Sequence, residues 1–73
     1  MACANSDGTL TVGARRLLAA MEQPARPETI ADSAALPLFR VRAGLRELLA
    51  AGLATESDLG FQRTPEAVSR LAN

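Results

Sequence analysis

The chain has 73 residues, eight arginines and no lysine against eight acids, no histidine and one cysteine, so its formal net charge is zero. That length allows one domain around one modest core, and the zero balance argues against tight nonspecific nucleic-acid binding. Without histidine the commonest general base and metal ligand is missing, so no catalytic residue, metal site or cofactor is expected and the chain does not read as an enzyme.

Lone Cys3 has no partner for an intramolecular disulfide and reads as a solvated N-terminal thiol. No apolar run approaches the roughly 20 residues of a membrane span, and no signal-peptide core is present. The expectation is a cytoplasmic protein without membrane contact.

Residues 1–8 are small and polar without periodicity, and are expected to form a disordered lead-in to a single domain over residues 9–73. Leu10, Ala14, Leu17, Leu18 and Met21 then recur on one helical face. Thr9 or Thr11 can cap that first helix, and Pro24 is expected to end it. Arg15 and Arg16 lie off the stripe and are expected in solvent.

A second, two-turn helix begins at Pro27, with Glu28 in its first turn and Ile30, Ala31 and Ala34 facing inward. Pro37 biases Leu36 away from helical angles and so turns the chain. The third helix is expected over about residues 37–51, with Val41, Leu45, Leu48 and Leu49 inward and Gly52 as its stop.

Residues 53–56 read as a strand, residues 57–60 as a turn and residues 61–63 as a returning strand. Thr64-Pro65-Glu66 combines a hydroxyl cap, a proline at the first helical position and an acid in the first turn. Val68 and Leu71 are expected to point this last helix at the core.

The order helix, helix, helix, hairpin, short helix resembles a winged helix-turn-helix domain, as in MarR-, IclR- and PadR-like bacterial transcriptional regulators. Two stretches carry the resemblance. One runs from Glu28-Thr29-Ile30-Ala31-Asp32 through Leu36-Pro37, Val41, Leu45 and Leu48 to Ala51-Gly52-Leu53. The other is Gly60-Phe61-Gln62-Arg63-Thr64-Pro65-Glu66. The fold class implied is mainly α with a small β-hairpin (α+β). The glycine such proteins usually carry near Ala35 is absent, Arg63 replaces a commonly apolar wing position and Ala67 replaces a frequent glycine.

The resemblance implies that the third helix recognises double-stranded DNA and that the hairpin is the wing. Its outward residues are Leu38, Phe39, Arg40, Arg42, Ala43 and Arg46, with three arginines within seven residues and no acid from Leu36 to Arg46. Arg40, Arg42, Ala43 and Arg46 would read the groove, Phe39 would make an apolar contact and Arg63 would touch a phosphate from the wing. Ser57 and Asp58 would lie near the wing tip. Arginine suits this role because it grips phosphate and guanine in bidentate fashion.

A second reading uses the same surface differently. Leu38, or both Leu38 and Phe39, could complete the core; if both are exposed, they make an apolar patch rimmed by arginine, which is the composition of a protein–protein interface. The long flanking helices through which MarR-like regulators dimerise are expected to be missing. Such a module, contacting DNA through three to five arginines, should bind weakly as a monomer, with a salt slope of about −3 to −4. Site selection would then call for a homodimer or a protein partner.

Overall fold

The computed structural model describes residues 4–5 and 8–72. Its elements follow the expected order: α1 (Val12–Ala19), α2 (Pro27–Ala34), α3 (Leu38–Ala50), β1 (Ala54–Ser57), β2 (Gly60–Arg63) and α4 (Pro65–Leu71). This is a mixed α+β fold, with three helices packed on one another and one antiparallel hairpin between α3 and α4.

The core is wholly apolar. Leu17, Leu18, Met21, Ile30, Val41 and Leu48 are its largest fully buried side chains, and no polar or charged residue is buried among the described residues. Helical spacing puts all of these but Met21 on one face of their helices, so three short amphipathic helices close over a common centre.

Several local expectations shift. Leu10 and Met21 are buried but lie outside α1. Thr11, not Thr9, is the cap, and its hydroxyl accepts the Ala14 N–H at 3.2 Å. The helix stops at Ala19, well before Pro24, because the Ala20 and Met21 N–H groups close a tighter last turn onto the Leu17 and Leu18 carbonyls. Arg15 is half-buried rather than solvated, and its guanidinium donates to the Leu71 carbonyl at 3.2 Å, at the C-terminal end of α4. Arg16 is exposed as expected.

The two helix-to-turn junctions share one geometry. After α3, Gly52 takes φ +75°, the Leu53 N–H bonds to the Leu48 carbonyl at 2.9 Å and the Gly52 N–H to Leu49 at 3.1 Å. After α2, Ala35 takes φ 57° and ψ 46°, the Leu36 N–H bonds to Ala31 at 3.1 Å and the Ala35 N–H to Asp32 at 3.4 Å. Both are Schellman closures. The first uses the residue type that suits it, and the second forces an alanine into the left-handed region.

The hairpin pairs Ala54 with Arg63, Thr55 with Gln62, Glu56 with Phe61 and Ser57 with Gly60. It starts one residue later than expected because the Leu53 N–H is already used to close α3. The loop is Asp58-Leu59, so Leu59 shares the tip with Asp58. A third, single-residue strand joins it: Ala25 and Phe61 exchange both backbone hydrogen bonds, at 2.9 and 2.8 Å.

In α4, Thr64 caps as expected, accepting the Ala67 N–H at 3.2 Å. The inward residue is Ala67, fully buried, while Val68 is 48% exposed; Leu71 packs against the core. The seam is narrow enough that alanine fills it and valine is turned out. Of the lead-in expected to be disordered, residues 1–3, with Cys3, and residues 6–7 lie outside the described residues. Ala4 bridges Leu10, and the Asn5 N–H bonds to the Thr9 carbonyl at 2.7 Å. Arg70 also donates to the Gly8 carbonyl. No helix among the described residues is long and apolar enough to cross a membrane.

Candidate nucleic-acid interface

α3 presents its outward side because Val41, Gly44, Leu45 and Leu48 are drawn into the core. At about 100° per residue, Phe39, Ala43 and Arg46 fall on one outward stripe, with Arg42 about 40° to one side of Arg46. Phe39 is 73% exposed, Arg46 is exposed and Ala43 is half-buried. Leu38 is half-buried, so of the apolar pair foreseen from the sequence Phe39 is the exposed member.

The three α3 arginines do not form one face. Arg40 lies about 120° from Arg46 and about 160° from Arg42 around the helix axis, on the opposite flank. It is exposed there. Proximity in sequence brought the three together; the helical rotation separates them.

Arg42 and Arg46 instead border a groove of about 490 Å³ between α3, the start of α2 and the hairpin. Leu45, Leu49 and Phe61 line its apolar part, and Arg26, Glu28 and Glu56 add further charge. Arg42 forms an ion pair with Glu28 at 3.6 Å, both side chains being more than half exposed. Arg26 donates to the Asp58 carbonyl at 3.0 Å and so ties the start of α2 to the hairpin loop. The acid-free stretch in α3 is therefore met by acids from other elements.

Arg63 is not brought to this groove. Its guanidinium donates to the Leu18 carbonyl at 3.4 Å and lies 3.8 Å from Glu22, at the C-terminal end of α1. Only 21% of its side chain is exposed. The hairpin thus carries its one arginine turned toward α1, while its loop presents Asp58 and Leu59, the latter 72% exposed.

Arg26 and Glu28 also line this groove, although the sequence alone assigns Arg26 no role and Glu28 only that of an acid in the first turn of α2. Their only signal was position: they flank Pro27 at the start of a helix that the turn packs beside α3. No group of three or more His, Cys, Asp or Glu side chains among the described residues could hold a metal ion. No family model, curated protein or solved structure matches the chain.

Proposed function

We propose that this protein is a small cytoplasmic transcriptional regulator that binds double-stranded DNA through α3, in the manner of MarR-, IclR- and PadR-like winged helices. The observation that carries the reading is the stripe Phe39–Ala43–Arg46 on the outer side of α3, flanked by Arg42. Arg46 has no hydrogen-bond or ion-pair partner among the described residues, so its donors are available to a base edge or a phosphate. Ala43 is small enough to let the helix approach a base pair closely, and Phe39 offers a face to a thymine methyl.

Two or three arginine–phosphate contacts correspond to a salt slope of about −2 to −3, which is weak and electrostatic binding. The test is titration of the ¹⁵N-labelled protein with a mixed-sequence duplex at about 50 mM salt. Amide shifts concentrated in residues 38–46 are expected, and the double variant Arg42→Ala/Arg46→Ala should lose them while keeping its fold. Absence of shifts at millimolar duplex would refute DNA binding.

Phe39 supports a second reading, as a protein–protein interaction module. A large apolar side chain 73% exposed on a helix is a suitable anchor for a partner pocket. In that case Phe39→Ser would abolish capture of the partner, whereas the double arginine variant would only weaken it.

A further inference from the structure

The groove beside α3 holds more charge than the DNA reading uses. Arg42 and Arg46 on α3 and Arg26, just before α2, line one groove, and Glu28 is the acid ion-paired with one of them. Arg26 and Arg42 are both engaged within the protein, one by a loop carbonyl and one by a carboxylate. The two engagements differ in kind. The Asp58 carbonyl uses one of several guanidinium donors, leaving the others directed elsewhere. The Glu28 carboxylate offers Arg42 a pair of anionic oxygens that can accept in bidentate fashion, as a phosphate also does.

We infer that Arg26, Arg42 and Arg46 form a phosphate-tracking wall for one strand of the duplex, and that Glu28 is its internal competitor. Resting on the DNA reading above, this gives the groove a ligand class, the phosphodiester backbone, and gives Glu28 a role in setting affinity. A phosphate at Arg42 displaces Glu28, and the displaced carboxylate then stands beside the bound anion. Both effects oppose binding. The pair is held at 3.6 Å with both side chains largely in water, so it opens readily and weakens binding without blocking it. Glu56, on the hairpin side of the groove, adds to the repulsion but bonds to none of the three arginines among the described residues.

Two features separate this arrangement from general surface charge. Glu28 acts through one named arginine, so its effect must depend on Arg42. Arg26 lies outside α3, so its effect must add a phosphate contact that α3 alone does not make.

The experiment is a double-mutant cycle read by fluorescence anisotropy on a labelled mixed-sequence duplex, from about 25 to 200 mM salt. Glu28→Gln is expected to tighten binding about threefold to tenfold at the low-salt end. In the Arg42→Ala background the same change should give less than half of that gain. Arg26→Lys, which keeps the charge but loses the fork, should weaken binding modestly. Arg26→Ala should weaken it further and lower the magnitude of the salt slope by about 0.9. Thermal melts of each variant identify any that has lost its fold. If the parent protein binds duplex and Glu28→Gln has no effect, or gains equally with and without Arg42, the competitor role is overturned and the DNA reading stands. If neither the parent nor Glu28→Gln binds duplex, both fall.

Discussion

Replacing Ala35 by glycine should stabilise this protein, although it removes a methyl group and inserts the residue with the greatest unfolded-state freedom. Ala35 sits at φ 57° and ψ 46°, where the Cβ of an L-residue crowds the following carbonyl. That conformation costs a non-glycine residue about 1–2 kcal/mol. Glycine avoids it but raises the unfolded-chain entropy by about 0.4–1 kcal/mol. The Ala35 side chain is exposed, so little packing is lost. The balance is a gain of about 0.5–1 kcal/mol, or roughly 2–8 °C in melting temperature for a domain this small. Gly52 supplies the control. It closes α3 with the same hydrogen-bond pattern at φ +75°, and a Cβ built there would meet nothing within 4 Å. Gly52→Ala therefore isolates the backbone term and should lower the melting temperature by a similar amount. Far-UV circular dichroism melts of the two variants and the parent make the comparison. Opposite signs are the required result. If Ala35→Gly melts below the parent, or both variants move the same way, the assignment of Ala35 to a strained left-handed turn is wrong.

Gly60→Ala should be far more damaging, because its Cβ would lie 2.5 Å from the Ala25 carbonyl oxygen and its φ is +121°. A loss of more than about 2 kcal/mol and disappearance of the Ala25–Phe61 amide protection in hydrogen exchange are expected. Arg63→Ala should cost about 1 kcal/mol of stability through the lost Leu18 and Glu22 contacts, yet leave duplex affinity within about twofold. A large affinity loss in that variant without destabilisation would return Arg63 to the interface. Thr64→Ala removes both the cap on the Ala67 N–H and the hydroxyl bond to the Gly52 carbonyl at 2.9 Å, and should lower stability by about 1–2 kcal/mol in urea unfolding.

What the sequence made legible was burial at helical spacing. Ala14, Leu17, Leu18, Ile30, Val41, Leu45 and Leu48 were readable as core because each repeats with its own helix, and all are buried. The cap at Thr64-Pro65 was legible for the same local reason. The structure departs from that pattern where hydrophobicity competes with space. Val68 is more apolar than Ala67, but the last helix meets the core at a seam that takes only the smaller side chain, so the two exchange roles. Leu10 and Met21 fit the period of α1 yet lie beyond its ends, since a buried residue beside a helix continues the stripe without continuing the hydrogen bonds. The side-chain partners were not legible at all. Arg63 with Leu18, Arg26 with Asp58 and Arg42 with Glu28 join residues 45, 32 and 14 positions apart, and no local pattern encodes those pairings.

Those pairings, not the arginine count, decide how strongly this surface attracts an anion. Five of the eight arginines have partners within the protein: Arg15 on a carbonyl of α4, Arg26 on the hairpin loop, Arg42 on Glu28, Arg63 at the end of α1 and Arg70 at Gly8. Arg16, Arg40 and Arg46 have none among the described residues, and they sit on α1 and on two different flanks of α3. A phosphate strand needs cations along one line, spaced to its own repeat. Among the described residues, Arg26, Arg42 and Arg46 line one groove together beside α3, and there Arg42 is held by an acid. Neutralising that acid, not adding another arginine, is thus the smallest change that would extend the cationic surface of this groove.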